Sequence, residues 1–266
     1  MFPLFRRKKK EPLDLRDEEL SPLEGLRKAG WRAFLRNVPV EKIRSAGFSG
    51  ADPHNPFVLT LQAIAGGRSA RFRGSLLENF YECWQPFAGR NPAELEKPAP
   101  WRARAQTAGN TASGRLQRGE FTAVAQELGL DAGDMRGHIT GGPVTEAFGE
   151  VTLRRMARIY QSVQETGYHP ERSPAGHLRG AYFLREDDFR VLVGSGKHRV
   201  AALLALGYRV IPVQFGPPKL PVIVRREEVD QWPGVLKGLY SRDEALARFD
   251  RIFSGAHPSG WCPPQR

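Results

Sequence analysis

Cysteine is scarce in this sequence of 266 residues, which contains only Cys83 and Cys262. The two are far apart and neither belongs to a C-x-x-C pair, so the sequence indicates neither a zinc site nor a redox pair and fits a reducing compartment. The short apolar patch at 2–5 precedes the basic run at 6–10, which is not the order of a secretory signal. No run of about 18 apolar residues is present. We therefore expect a cytoplasmic protein without a transmembrane segment.

Acidic residues are also few. Asp and Glu number 29 against 40 Lys and Arg, which gives a net charge of +11 and a pI near 10.0. A basic excess favours an anionic partner such as a nucleotide, a nucleic acid, a phospholipid or an acidic glycan, but it does not choose among them. General use of Arg for solubility gives the same number, so the excess alone specifies no site.

The first half of the chain is predicted to be mostly helical. Residues 1–22 are predicted to be a disordered arm, rich in charge and proline, whose basic run is expected to be solvated unless it touches lipid or nucleic acid. Residues 23–135 follow as a mostly helical region with a Gly- and Pro-rich linker near 88–114. Apolar spacing within this region predicts helices over 23–38, 57–65, 75–87 and 120–128.

Residues 136–225 are predicted to be a small α/β domain. A helix over 151–165 is expected to end at Gly167, where a left-handed cap is favoured. Residues 226–266 are predicted to be closing helices and a frayed tail. Between these, the pattern predicts a hairpin of strands 181–184 and 190–193 around a charged turn, then a glycine turn, a helix over 197–206 and strands over 210–215 and 221–225.

The turn Gly194-Ser195-Gly196-Lys197-His198-Arg199 is predicted to hold a phosphate group. The first N–H groups of a helix have no partner inside it, and the helix dipole adds positive charge at the same point. Two glycines allow a ligand to approach closely, and three basic residues supply cationic donors. Basic residues at a helix start are unfavourable unless an anion lies there, although Gly-x-Gly before a helix is also common as a bare turn.

Individual roles follow from side-chain chemistry. Arg199 can bind a phosphate through two parallel hydrogen bonds, and Lys197 can attract it as a point charge. His198 is a candidate catalytic residue because it donates a hydrogen bond or shuttles a proton. Glu150 is the second candidate, as a carboxylate able to hold Mg²⁺, although Glu near a helix start more often complements the dipole. Ser195 lacks the partners of a nucleophile.

Other motifs are weaker. No G-x-x-x-x-G-K-[ST] occurs, which excludes a Walker A loop. His138, His169 and His177 lack the spacing of metal ligands and are interpreted as surface or loop residues. Asp187 and Asp188 are interpreted as ordinary turn residues.

The segment Val191 to Leu203, followed by Leu206-Gly207-Tyr208 and Ile211-Pro212-Val213, resembles the signature of the ParB/sulfiredoxin superfamily. The resemblance covers residues 148–225. It implies an α/β (α+β) fold with a small mixed sheet and helices. It also implies that Gly196, His198 and Arg199 contact the phosphates of a nucleotide, which leads us to expect a nucleoside triphosphate with Mg²⁺ as cofactor.

This sequence departs from the family at informative positions. Lys197 stands where sulfiredoxin has its catalytic cysteine, which argues against sulfiredoxin chemistry. Ser195 stands where the related kinases have Asp, which puts kinase catalysis in doubt. The residues after 225 lack the E-N-x-x-R motif and the helix-turn-helix of partition ParB proteins, which argues against a DNA clamp.

Three functional hypotheses result. The first is a nucleotide-binding protein, with hydrolysis or phosphoryl transfer as an open extension. The second is a non-catalytic sensor of a phosphorylated metabolite, or a protein-interaction scaffold. The third, less favoured, is a nucleic-acid-binding protein, which requires its Arg residues on one continuous face and a steep loss of affinity with salt.

Overall fold

The computed structural model describes residues 11–86, 88, 99–102, 120–173, 175–216, 222–256 and 261. In these residues one mixed sheet of eight strands is surrounded by eight helices, which confirms the predicted α/β class. None of the helices described is both long enough and apolar enough to cross a membrane.

The elements alternate along the chain. The helices are α1 (Pro22–Ala29), α2 (Pro56–Ala65), α3 (Leu76–Cys83), α4 (Glu120–Glu127), α5 (Glu146–Thr166), α6 (Lys197–Ala205), α7 (Pro233–Leu236) and α8 (Arg242–Ser254). The strands are β1 (Leu13–Asp14), β2 (Phe34–Pro39), β3 (Ile43–Ser45), β4 (Phe48–Ser49), β5 (Leu178–Arg185), β6 (Asp188–Ser195), β7 (Val210–Phe215) and β8 (Ile223–Arg225). Across the sheet the order is β1-β2-β7-β5-β6-β3-β4, and β8 also pairs with β5.

The predicted hairpin is confirmed. Strands β5 and β6 pair antiparallel around the turn Glu186-Asp187, and β5 also pairs parallel with β7 and β8. The strand order places β3 parallel to β6, with Ile43 opposite Val191. Because the carboxyl ends of parallel strands meet at one edge, β3 and β6 both end where α6 begins.

Helix α6 is buried on two sides, which fixes its first turn in space. Val200 and Leu203 pack against the sheet in the cluster that contains Val191 and Val193. Ala202 packs on another side with residues of α2, α3 and α5. The opposite face of the sheet is covered by α8 and the residues before it, through aromatic contacts.

The helix predicted over 23–38 is wrong in its second half. Helix α1 ends at Ala29, Gly30 turns the chain with a φ of 55°, and β2 then pairs antiparallel with β7. Phe34 and Leu35 are both buried although they point to opposite faces of the strand. Trp31, Phe34 and Leu35 have the i, i+3, i+4 spacing of an apolar helix face, so the apolar pattern alone does not distinguish this strand from a helix.

The described residues of both terminal segments are more ordered than predicted, while residues 1–10, 257–260 and 262–266 lie outside the described residues. The arm predicted to be disordered over 1–22 contains β1, whose Leu13 and Asp14 pair with β2. In the predicted frayed tail, Trp261 is buried, with its ring 5.4 Å from that of Phe80 and its Nε1 donating to the His54 carbonyl at 3.1 Å. Because these contacts join residues far apart in the sequence, no local sequence pattern predicts them.

The sheet joins regions that the sequence separates. Strands β2 and β3 come from the predicted helical region and pair with β7 and β6 of the predicted 136–225 domain, while β1 comes from the predicted 1–22 arm and pairs with β2, so the sheet crosses the predicted boundaries. Of the predicted linker near 88–114, only residues 88 and 99–102 lie within the described residues. Trp101 is buried there, with its ring 4.9 Å from that of Phe183 and 5.6 Å from that of Trp232.

Candidate functional site

The glycine turn has a geometry that only glycine provides. Gly196 is the N-cap of α6 and is left-handed, with φ 93° and ψ 28°. A Cβ at this position would lie 2.3 Å from Leu178 Cδ2 and 2.8 Å from Arg199 Nη2. The pairing register of β5 and β6 passes from Ser195 to Val193 and skips Gly194, which is a β-bulge at the end of the strand. The β-bulge and the left-handed Gly196 together turn the chain from β6 into α6.

The first turn of α6 is positively charged. No side chain caps its N-terminus, and no acidic residue occupies the first turn. Lys197, His198 and Arg199 stand there instead, as the sequence indicates. Ser195, which precedes the cap, is exposed to solvent, while Gly194 and Lys197 are half-buried. The turn is therefore accessible to a ligand from solvent.

Arg199 folds back across the turn. Its Nη2 and Nε lie close over Gly196, and its Nη1 donates to the carbonyl oxygen of Gly176. This hydrogen bond joins the start of α6 to the segment before β5. Arg199 therefore has a positioning role, which the sequence does not reveal, in addition to its predicted role in phosphate binding.

His198 points inward. It is only 4 % exposed, and its ring lies 6.1 Å from that of Phe121 on α4. Burial lowers the pKa of His198 well below its usual range, and the positive charges of Arg155 and Lys197 lower it further. Its Nε2 is buried and has no hydrogen-bond partner among the described residues. The side chain is therefore neutral at pH 7.

Glu150 makes a structural contact. Its Oε1 accepts a hydrogen bond from the Phe72 backbone N–H at 2.8 Å, next to Gly149, where any side chain would collide with the Phe72 ring. No cluster of three or more His, Cys, Asp or Glu side chains in the described ranges is arranged to hold a metal ion. The catalytic and Mg²⁺-binding roles of Glu150 stay predictions.

Two residues near the turn were not predicted to belong to the site, and one of them, His177, was interpreted as a surface or loop residue. The hydroxyl of Tyr168 lies beside Arg199 and the Leu178 backbone, and burial raises its pKa. His177 is half-buried, and its Nδ1 has no hydrogen-bond partner within the described part of the chain. Burial lowers the pKa of His177, against the opposing effect of Glu171. His177 is thus the less buried histidine of the two next to this turn.

The sheet register explains this arrangement. Asp14, Leu35, Gln214, Arg179 and Ser195 form one row across five strands. The residues that follow β1, precede β5 and follow β6 therefore meet at one edge of the sheet. The pairing register between distant strands cannot be predicted from the local sequence. The one sequence feature that could have indicated His177 is its position just before a predicted strand.

Comparison with protein-family models, with curated proteins and with solved structures finds no match to this chain. The resemblance to the ParB/sulfiredoxin superfamily stays a prediction that rests on the residues of the glycine turn, α6 and β7. The mixed α/β sheet is the coarser part of that prediction, and the structure bears it out. The proposed function therefore rests on the residues of the site itself.

Proposed function

We propose that this protein binds a phosphorylated ligand, with a nucleotide as the first choice, at the N-terminus of α6. The observation that carries the proposal is a nine-residue helix that starts with Lys197, His198 and Arg199, without a side-chain cap or an acidic residue in its first turn. The positive side chains of Lys197 and Arg199 add to the positive end of the helix dipole instead of compensating it. A bound phosphate removes this conflict, because it accepts hydrogen bonds from the first backbone N–H groups.

The geometry around the turn suits an anion held by backbone groups. Gly196 has no side chain that could accept a hydrogen bond from the first-turn amides, which leaves these amides for a ligand. Lys197 adds a point charge, and the exposed Ser195 hydroxyl is placed to donate a hydrogen bond. Helix α6 is held by two cores, so these donors are in place before the ligand arrives and little ordering entropy is lost on binding.

The remainder of the ligand is expected to contact the segment before β5. Arg199 ties this segment to the turn through Gly176, and His177 follows directly. A neutral imidazole offers one donor and one acceptor, which suits the hydroxyl groups of a sugar or the edge of a base. Asp14 and Arg16 lie near His177 and make the surroundings polar. This part of the site favours a phosphate ester over bare phosphate.

If the protein is also a hydrolase or a phosphotransferase, His177 is better placed than His198 to transfer protons. A general acid or base must reach the reacting group and exchange its proton with solvent. His198 is 4 % exposed and packs on Phe121, whereas His177 is half-buried beside Arg199. Turnover would then depend on His177, and a sensor would bind the same ligand without turnover.

The proposal is tested by calorimetric titration of ATP, ADP, CTP and GTP, each with and without Mg²⁺, into the wild-type protein and two charge-reversal variants. Lys197→Glu places a negative charge at the first helical position. Lys237→Glu makes the same change at an exposed residue after α7 and is the matched control. We expect at least one nucleotide to bind, Lys197→Glu to abolish binding and Lys237→Glu to retain it.

Two outcomes contradict the proposal. One is the absence of heat from every nucleotide and from sugar phosphates at millimolar ligand, where even a binding free energy of about −4 kcal/mol is detectable. The other is binding that both variants lower equally, which would indicate a general effect of net charge. Release of inorganic phosphate, measured in parallel on wild type and His177→Ala, separates an enzyme from a sensor.

A further inference from the structure

The segment that follows α5 brings a tyrosine to the start of α6. Helix α5 ends just before Gly167, which has a φ of 81°, and Tyr168 then packs into the core cluster that contains Leu178. The Tyr168 hydroxyl lies beside the Arg199 guanidinium and the Leu178 backbone. Arg199 in turn lies over Gly196, the N-cap of α6. Only the Arg199 side chain therefore separates this hydroxyl from the candidate phosphate site.

The packing of Tyr168 does not require its hydroxyl. The ring is half-buried among apolar neighbours, and the ring of a phenylalanine would fill the same space. The hydroxyl oxygen is buried and has no hydrogen-bond partner of normal geometry among the described residues. A buried polar group without a partner costs free energy, so phenylalanine would serve the fold better. The hydroxyl is therefore best explained by a partner that the fold does not supply.

The missing partner of the Tyr168 hydroxyl is an acceptor. Arg199 and the Leu178 backbone both lower the pKa of Tyr168, as donors of hydrogen bonds to a phenol oxygen do. Burial has the larger effect and raises the pKa, so the phenol keeps its hydrogen at neutral pH and can donate it. Glu171, a nearby carboxylate, is exposed and pairs with His169 instead.

Two further side chains at the start of α6 have the same deficit. His177 Nδ1 and His198 Nε2 are buried and lack a hydrogen-bond partner within the described ranges, as the Tyr168 hydroxyl does. Tyr168 and His177 share Arg199 as a charged neighbour, and His198, which is 4 % exposed, precedes Arg199 in α6. Buried polar atoms without partners are rare, and their clustering at one place is explained by a ligand that supplies the partners.

We propose that the Tyr168 hydroxyl donates a hydrogen bond to a phosphate oxygen of the ligand that Arg199 also binds. This inference rests on the proposed function and adds Tyr168 as a further binding residue. A hydrogen bond to an ionised acceptor is stronger than one between neutral groups. A phosphate oxygen beside the positive charge of Arg199 is therefore favoured over a sugar hydroxyl or a base nitrogen as the acceptor.

The test compares two tyrosines that lie at opposite ends of α6. Tyr168→Phe removes the hydroxyl and retains the ring. Tyr208→Phe makes the same change just after the end of α6, at a tyrosine that is also half-buried and packs against the same core cluster. In calorimetric titrations with ATP, ADP, CTP and GTP, we expect the bound nucleotide to bind about tenfold more weakly to Tyr168→Phe. Tyr208→Phe should bind it within about twofold of the wild type.

A second readout separates ligand binding from a role in the fold. Because Tyr168→Phe removes a buried hydroxyl that lacks a partner, its melting temperature without ligand should be equal to or higher than that of the wild type. A hydroxyl that served the fold would give a lower melting temperature and an unchanged affinity. A double-mutant cycle with Arg199→Lys should show non-additive losses of affinity, because both side chains bind the same phosphate oxygen.

Failure of this inference can be distinguished from failure of the proposed function. If the wild type binds a nucleotide and Tyr168→Phe binds it equally well, Tyr168 is not a binding residue, while the site at α6 stands. Equal losses in Tyr168→Phe and Tyr208→Phe also overturn the inference. If no nucleotide and no sugar phosphate binds the wild type at millimolar concentration, the proposed function fails and the role of Tyr168 fails with it.

Discussion

Helix α6 begins differently from the other helices of eight or more residues whose N-cap lies within the described residues. Helices α1, α2, α3, α5 and α8 each begin at a residue whose side chain accepts a hydrogen bond from a first-turn amide, and these caps are Ser21, Asn55, Ser75, Thr145 and Ser241. Two of them, Ser21 and Ser241, form complete capping boxes with a glutamate. Helix α6 has Gly196 in this position and three basic residues after it.

The absence of a cap and of an acidic residue lowers the stability of a helix start by a measurable amount. A side-chain cap stabilises a helix by about 1 kcal/mol, and an acidic residue in the first turn adds about 0.3–1 kcal/mol. Helix α6 lacks both and is stable because its Val200, Ala202 and Leu203 are buried. Four of the five capped helices also have an acidic residue in the first turn. The start of α6, whose amides are proposed to bind a ligand, therefore lacks the stabilisation that caps and acidic residues give to the other helix starts.

The largest effect is expected from Gly196→Ala. The new methyl group would collide with Cδ2 of the fully buried Leu178, whose side chain would have to shift within the core, and alanine would also be strained at a φ of 93°. We expect unfolding in urea to show a loss of about 3 kcal/mol. Gly207→Ala is the control at the other end of α6, where φ is 81° but no atom lies within 4 Å. It should cost only about 1 kcal/mol, and equal losses would contradict the crowded geometry of the turn.

The buried His198 should make stability depend on pH. Its pKa is lower in the folded than in the unfolded state, because burial opposes its protonation. Above the unfolded pKa near 6.5 both states are neutral, and as the pH falls below that value the unfolded state takes up a proton first. Stability should therefore fall toward acid pH, by at most about 1.4 kcal/mol per pH unit. Urea unfolding between pH 8 and 5 should show a smaller fall for His198→Gln, and an unchanged slope would contradict a buried neutral imidazole.

A smaller effect distinguishes a capped from an uncapped helix start. Ser241→Ala removes the hydroxyl that accepts from the Glu244 N–H and should cost about 1 kcal/mol. Ser195→Ala removes an exposed hydroxyl that caps nothing and should change the free energy of unfolding by less than about 0.5 kcal/mol. A similar loss for both variants would mean that Ser195 caps α6 after all.

The smallest effect has the opposite sign. Lys197→Glu should stabilise the protein by about 0.3–1 kcal/mol at low ionic strength, since it replaces an unfavourable charge at the helix start with a favourable one. The same substitution is expected to abolish ligand binding. Thermal unfolding without ligand and in low salt measures the gain, and a clear loss of stability would show that the lysine serves the fold rather than a ligand.

Locally encoded parts of the structure are predictable from the sequence. The hairpin β5–β6, the glycine turn, α6 and β7 all follow from strand alternation, a charged turn and the two glycines that flank Ser195. The same signals locate the candidate phosphate site, because a glycine turn and its helix are consecutive in the chain.

Features that depend on distant parts of the chain are not predictable in this way. The helical spacing of Trp31, Phe34 and Leu35 predicts a helix where β2 forms, and β1 and Trp261 are held by partners far away in the sequence. The inward direction of His198 depends on Phe121, and the Glu150 contact depends on Phe72. The bond from Arg199 to Gly176 likewise requires the folded sheet edge.

The amides at the start of α6 are proposed to bind an anion, and those of the capped helices are not. The most direct test is a ¹⁵N–¹H correlation spectrum recorded during titration with ATP and Mg²⁺. We predict the largest shifts at the amides of Lys197 and His198, smaller shifts at His177, and none at Glu24 and Glu244, whose amides already donate to serine hydroxyls. If the amides of Lys197 and His198 do not shift while amides elsewhere do, α6 does not bind the anion through its first turn.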